Sequence, residues 1–338
     1  MNARRVRAAL RGWGGVGALA VLCALALAAV LLLPLSRPFG GGQGVGQGVG
    51  GQGVATARQA RAKACDAPEK QTLSPSGADG RTIDAIKARK GDDRKIIVGV
   101  DQNSYRWGYR NPNTRGAELE GFDIDLVHRI AQDILGKPDA VQFKAIPTSQ
   151  RTEAVRTGRV DMVVRTMTIT CDRLADVAFS APYFKTGQQV LAPKSSPITG
   201  YDVTLAHRRV CAAAGSTAYT QLAADKKAGK LVAVPNQLDC LVRLQLGEVD
   251  AVVTDAALAA SQAAQDPTVE LKGAPFTTDY YGVAMKKDAT DLIRRVNQIL
   301  VQYRASGWQA SYDKWLSATL GTDSGPSKPP APDYLRKN

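Results

Sequence analysis

Two hydrophobic rhythms run through this chain. From Lys95 onward, short β-branched runs alternate with stretches whose apolar residues recur every third or fourth position, the pattern of strands interleaved with amphipathic helices. Residues 96–100 predict a strand. Residues 121–135 place Phe122, Leu126, Ile130 and Ile134 on one helical face. A strand over 141–146, a helix over 149–157 and a strand over 161–164 follow. After Pro182 the alternation restarts, with strands at 209–213, 231–234, 251–254 and 282–285 and helices at 217–227, 238–246, 256–264, 291–304 and 308–316. Such alternation predicts an α/β fold with largely parallel strands.

The two α/β blocks are joined by extended segments near 186–193 and 277–281. A bilobed body is expected, with lobe 1 formed by 95–186 and 281–320 and lobe 2 by 187–280. Ligands of open α/β sheets bind beyond the carboxyl ends of strands, and closure about hinge strands buries them. A short helix is expected over 82–90, and Pro and Gly after Leu320 predict a flexible tail over 321–338.

The first residues obey a different pattern. Four arginines, Arg4, Arg5, Arg7 and Arg11, precede a charge-free stretch from Gly12 to Ser36. A bilayer core needs roughly 20 apolar residues in a helix, whereas a cleavable signal carries about 7 to 15. Residues 1–36 are therefore expected to be an uncleaved anchor with its arginines in the cytoplasm and the rest exported; a long signal peptide is second. Lipid attachment at Cys23 comes third, because bulky Leu22 stands where a lipoprotein signal has a small residue. Residues 40–53 are nearly all Gly, Gln and Val, the composition of a tether. Gly46, Gly48 and Gly51 match a dinucleotide-binding spacing, but neither a strand before nor a helix after supports it. The tether region as a whole spans 37–94.

Composition changes this picture in one respect. The net charge of +13 suggests nucleic acid, yet residues 1–64 hold eight Arg and Lys and no acid. The remainder is a mixed surface with no basic run long enough to follow a phosphate backbone. Nucleic acid is set aside. Beyond Cys23 four cysteines remain, Cys65, Cys171, Cys211 and Cys240. Four allow three pairings, and export favours disulfides over metal or redox chemistry. No C-x-x-C spacing supports zinc, and no cofactor is expected.

The stretch 161–173, D-M-V-V-R-T-M-T-I-T-C-D-R, is a strand that turns into alternating hydroxyls and ends on an acid-base pair. Together with E-G-F-D-I-D-L, I-A-Q-D-I-L-G, V-A-F-S-A-P-Y-F, V-D-A-V-V-T-D and a closing K-W-L, it resembles the extracytoplasmic class II solute-binding proteins for polar amino acids that serve ABC importers. The matches occur in family order over 95–320. The anchor, the tether and the cysteine set resemble an actinobacterial glutamine/glutamate/aspartate-binding subgroup, some of which is thought to feed a membrane signalling receptor.

The resemblance implies site roles. Arg173 would hold the ligand α-carboxylate through its planar fork, which Lys does not reproduce. A solvated Arg paired with Asp172 or Asp176 is the bland alternative. Thr166, Met167 and Thr168 would edge the ligand, with Thr168 supplying a hydroxyl and Thr166 a backbone carbonyl. Gly215, Ser216 and Thr217 open a helix whose first amides favour anions, although Ser216 as a simple N-cap suffices. Asp255 would pair with the α-ammonium, or else cap the helix that follows it. Asp101 is expected to contact the ligand or to orient the following loop. Tyr105 is expected in the pocket wall, and Ser104 stands where the family usually has an aromatic. Arg165, or Arg106, would suit an acidic ligand side chain, so glutamate or aspartate is favoured over glutamine or asparagine.

Cys211 and Cys240 flank one region of lobe 2, and bridging them leaves Cys65 with Cys171; free buried thiols are the alternative. Two other functions are weighed. A sensor would present the same closed cleft to a receptor instead of a permease. A dehydratase-type enzyme shares the fold, but the chain has only His128 and His207, and no nucleophile-base-orienter set is visible. The expectation is a monomeric binding protein, not an enzyme.

Overall fold

The computed structural model describes residues 65–335 apart from 115 and 117. The expected anchor and the glycine tether, up to residue 64, lie outside the described residues. Among the described residues no helix is long and apolar enough to cross a membrane.

The sequence rhythm becomes two five-stranded sheets. In chain order, helix α1 (Arg81–Lys87) precedes β1 (Ile96–Val100), β2 (Asn103–Ser104), β3 (Gly108–Arg110) and β4 (Leu119–Glu120). Then come α2 (Phe122–Leu135), β5 (Val141–Ala145), α3 (Arg151–Arg156), β6 (Met162–Val163), α4 (Cys171–Leu174) and β7 (Ala178–Phe179). The first sheet has the order β5-β1-β6-β15-β7, where β15 is Ala284–Met285. Its outward alternation is two-sided: Ile96, Val98 and Val100 pack beneath α2, while Val163 and Ile146 pack on the opposite face with Val155. Burial on both faces explains why these strands read as continuous apolar runs.

The chain crosses through β8 (Phe184–Thr186) into the second sheet, order β11-β10-β12-β9-β13. Its members are β9 (Gln188–Pro193), β10 (Arg209–Ala213), β11 (Lys230–Val234), β12 (Ala251–Asp255) and β13 (Val269–Lys272), flanked by α5 (Thr217–Asp225), α6 (Gln237–Gln245) and α7 (Ala256–Ala263). Val210 and Ala212 face one core, and Cys211, between them, faces the other. The return passes through β14 (Asp279–Tyr281), which pairs antiparallel with β8 so that Thr186 lies opposite Asp279. Helices α8 (Thr290–Ser306) and α9 (Trp308–Trp315) then close lobe 1.

The expectation of largely parallel strands needs qualifying. In each sheet four strands share one direction, and the strand next to the crossing, β15 in the first and β9 in the second, runs antiparallel to both its neighbours. A chain that leaves a lobe and later returns enters each sheet in the reversed direction.

Three further features differ from the sequence reading. The small sheet β2-β3-β4 and strand β13 were not foreseen, since two- to four-residue strands carry too little periodicity to register. Leu73, Ile83 and Ile86, assigned by sequence to the tether region, are buried in the lobe 1 core with α8 residues Leu292 and Val296. The segment expected as a flexible tail returns along the body: Arg304 donates to the Pro330 carbonyl at 3.2 Å, and the Leu335 amide to Lys70 at 2.9 Å. Among the described residues two disulfides are present. Cys211 is bonded to Cys240, Cα–Cα 5.6 Å, tying β10 to the start of α6; Cys65 is bonded to Cys171, Cα–Cα 5.7 Å, at the start of α4.

Candidate functional site

The carboxyl ends of β1 and β6 in lobe 1 and of β10 and β12 in lobe 2 face one another, and the lobes touch. Thr148 donates its hydroxyl to Gln237 at 3.1 Å and its amide to the Pro235 carbonyl at 3.2 Å. Arg165 reaches Asn236 at 3.0 Å. The cleft is closed.

Arg173 sits in α4, a single turn started by the Thr170 hydroxyl, which accepts the Arg173 amide at 3.3 Å. Its guanidinium donates to the Thr168 carbonyl at 2.5 Å and across the cleft to the Gly215 carbonyl at 3.0 Å. Arg151, at the start of α3, donates to the same Gly215 carbonyl at 3.4 Å and to the carbonyls of Thr148 and Arg165 at 2.9 and 3.3 Å. Among the described residues neither guanidinium is in an ion pair. Burial lowers the pKa of both, and for Arg151 the neighbouring Arg173 and Arg165 add to the fall. The two guanidiniums share one neutral carbonyl, and the charges of Asp255, Asp279 and Asp172 offset part of the fall at Arg173.

Gly215 makes this approach geometrically possible. It adopts φ +75°, and a Cβ there would stand 2.7 Å from the Cα of Ser149 in the other lobe. Ser216 behaves as the N-cap, accepting the Tyr219 amide at 3.1 Å. The Thr217 hydroxyl instead accepts from Gln188 at 3.0 Å.

The acidic side of the cleft is built on β12 and the hinge. Asp255 occupies the N-cap position of α7 but makes no side-chain cap bond. Its carboxylate is turned to Tyr281, whose hydroxyl donates at 2.7 Å, and to the amide of Gln188. That amide also donates to Asp279 at 2.6 Å. Burial, then the nearby Asp279 charge, pushes the Asp255 carboxyl up to about 7. A cavity of about 260 Å³ lies between the two sides, with Thr170, Arg173, Gly215, Thr217, Gln188 and Asp279 in its lining.

A guanidinium facing paired carboxylates across a closing cleft is the arrangement that a zwitterion requires. The model of the bacterial extracellular solute-binding proteins, family 3, matches residues 96–318. The chain belongs to that family. It is 34% identical to a glutamine-binding protein of an ABC transporter from Bacillus subtilis, over 70% of this chain and 84% of that one. A glutamate-binding protein from Corynebacterium efficiens is 28% identical over 69% of this chain and 81% of its own. Among solved structures, the solute receptor for L-cysteine of Neisseria gonorrhoeae superposes with a TM-score of 0.68 at 29% identity, covering 74% of this chain and all of that one, 100%.

Within this solute-binding fold, several residues expected at the ligand do other work. Arg165 is fully buried and paired with Asp101 at 2.7 Å, with Thr148 as a further partner at 3.0 Å. It is not a free cation for an acidic side chain. Asp101 also accepts the amides of Gln102 and Asn103 and the hydroxyl of Ser104, at 2.8, 3.0 and 3.0 Å, so it orients the loop after β1. Met167 is fully buried in the lobe 1 core with Ile169 and Phe179, and its side chain is not in the cleft. Tyr105 stacks edge-on with Tyr109 at 5.1 Å, beside a crevice that Gln237 and Leu238 of lobe 2 share. Arg106 binds the Trp315 carbonyl at 3.0 Å and lies over the Tyr105 ring.

The extended run of alternating hydroxyls is interrupted at Thr166, which takes φ +42°. A left-handed β-branched residue is a rare conformation. It is held by its amide bond to Asp123 at 3.0 Å, whose other oxygen accepts from Tyr183 at 2.8 Å. The sequence reading did not single out Arg151, Gln188 or Asp279. Gln188 and Asp279 stand in the two segments read as hinge strands, and their position beside the cleft was the available signal. For Arg151 there was none, because a lone arginine opening a helix looks like solvated surface.

Proposed function

We propose that this protein captures a polar amino acid outside the cytoplasm, glutamate or aspartate ahead of glutamine or asparagine, and hands it to an ABC importer. The observation that carries the acidic preference is the meeting of Arg151 and Arg173 at one carbonyl oxygen, that of Gly215. Two guanidiniums without a carboxylate call for two negative charges, and an acidic amino acid brings both where its amide brings one. Arg173 receives the α-carboxylate, Asp255 the ammonium, and Thr168 and the Gly215–Thr217 turn complete the head-group contacts. The two relatives named for glutamine and glutamate bracket this ligand class.

The protein works as a monomer held at the extracytoplasmic face of the cell membrane by residues 1–36, and Cys65–Cys171 ties the tether to the turn that carries Arg173. Calorimetry of the full chain in detergent tests the reading. Micromolar or tighter binding of glutamate, with glutamine weaker, is expected; absence of binding by all four acidic and amide amino acids overturns it.

A further inference from the structure

One amide nitrogen in the cleft faces more acceptors than it can serve. Gln188 Nε2 lies within hydrogen-bond distance of Asp255, of Asp279 at 2.6 Å and of Thr217 at 3.0 Å. An amide has two N–H groups, whereas an ammonium has three. We propose that Asp279, with Asp255 and the Thr217 hydroxyl, receives the ligand's ammonium, and that in the ligand-free cleft the Gln188 amide occupies its place. This rests on the reading of the cleft as an amino-acid site.

Three observations support it. Gln188 is only 1% exposed, yet its Oε1 has no partner. A buried orphan acceptor is unfavourable, so the side chain is held by the acceptors around its nitrogen and not by a complete set of bonds. Two carboxylates gathered on one neutral donor suit a cation, and among the described residues neither Asp255 nor Asp279 is in an ion pair. Finally, Asp279 and Gln188 both line the cavity that Arg173 enters, which sets acceptors and guanidinium where one zwitterion spans them.

Position adds a mechanical consequence. Asp279 begins the hinge strand β14 opposite Thr186, and Thr277 donates to it at 3.2 Å. An ammonium drawn between Asp255 on lobe 2 and Asp279 on the hinge couples head-group binding to the hinge itself. The backbone of Gln188 is bonded separately, its amide to the Thr277 hydroxyl at 2.7 Å and its carbonyl to the Phe276 amide at 2.9 Å. Replacing its side chain therefore leaves β9 anchored.

The two residues act in opposite directions, and this makes the test. Full-length wild type, Gln188→Leu, Asp279→Asn and Asp279→Ser are compared by calorimetry with L-glutamate and L-glutamine. Loss of the resident donor is expected to tighten binding about fivefold, and loss of the Asp279 charge to weaken it at least about tenfold. A purely structural role for both residues would move the affinities in the same direction. Unchanged or weaker binding by Gln188→Leu, or unchanged binding by the Asp279 variants, overturns the proposal while wild-type binding keeps the amino-acid reading. Absence of binding by wild type overturns both. If neither Asp279 variant folds, the direction of the Gln188→Leu change decides.

Discussion

Arg173 donates across the cleft to the carbonyl oxygen of Gly215 at 3.0 Å, so the residue assigned to the ligand carboxylate touches lobe 2 through a bare backbone acceptor. A carboxylate placed there would convert a neutral hydrogen bond into a charge-assisted, bidentate one. The same contact joins the two lobes, so a ligand carboxylate at Arg173 has to share or displace it.

Replacing Arg173 by Ala is expected to weaken amino-acid binding by about 3 kcal/mol, roughly 100-fold, by removing one side of a desolvated pair. Thermal unfolding of the ligand-free variant should stay within about 2 °C of wild type, because the lost partners are two carbonyls at a partly exposed site. Calorimetry and a melting curve on one preparation check both outcomes.

Gly215→Ala should obstruct closure instead of chemistry. The added Cβ meets Ser149 Cα at 2.7 Å in the other lobe, and φ +75° costs a non-glycine residue about 1 kcal/mol or more. A larger radius of gyration by small-angle scattering and at least about tenfold weaker binding are expected. Wild-type scattering with wild-type affinity would show that closure does not depend on this contact.

Arg165→Ala separates a structural cation from a ligand-facing one. With Arg165 removed, Asp101 is left buried without its ion-pair partner, a situation that costs about 3–5 kcal/mol. Chemical denaturation should show that loss in the ligand-free protein. If stability were unchanged while glutamate and glutamine exchanged rank in calorimetry, Arg165 would face the ligand side chain after all.

Asp255 gives a dependence on pH. Its carboxyl is pushed up to about 7 by burial and by Asp279, and that of buried Asp123 is also pushed up to about 7, by burial foremost. An unfolded aspartate titrates near about 4. Between those values the ligand-free fold keeps protons that the unfolded chain has released, so stability falls as pH rises from about 4 to about 7 and flattens above. An ammonium pairs with the ionised form, so affinity should rise over the same interval, with proton release on binding. Melting curves and calorimetry between about pH 5 and about pH 7.5 test this, and Asp255→Asn should flatten the affinity profile and reduce the slope of the stability profile, leaving the part that Asp123 contributes.

Much of the fold was legible because burial on both faces writes itself into composition. Strand β1 and strand β10 cover the residues predicted for them, 96–100 and 209–213, and α2 spans the predicted helix, with Gly136 at φ +76° as its stop. What the periodicity did not contain was direction. The antiparallel entry of β15 and β9 follows from the chain crossing the hinge, which is a property of the path and not of any window of residues.

The cleft divides in the same way. By itself the sequence determined which segments reach the carboxyl ends of strands, and through 161–173, Gly215 and Asp255 it determined that one side would carry a guanidinium and the other a carboxylate. Only the tertiary structure decided which charges were already answered. Arg165 is neutralised by Asp101, whereas Arg151 and Arg173 are left with carbonyls, and Asp279 reaches Asp255 through Gln188, a contact between residues 24 positions apart in number and joined by a side chain from β9. Local sequence sets residue type and strand phase. The partner that satisfies or abandons a buried charge comes from elsewhere in the chain, and folding alone brings it there.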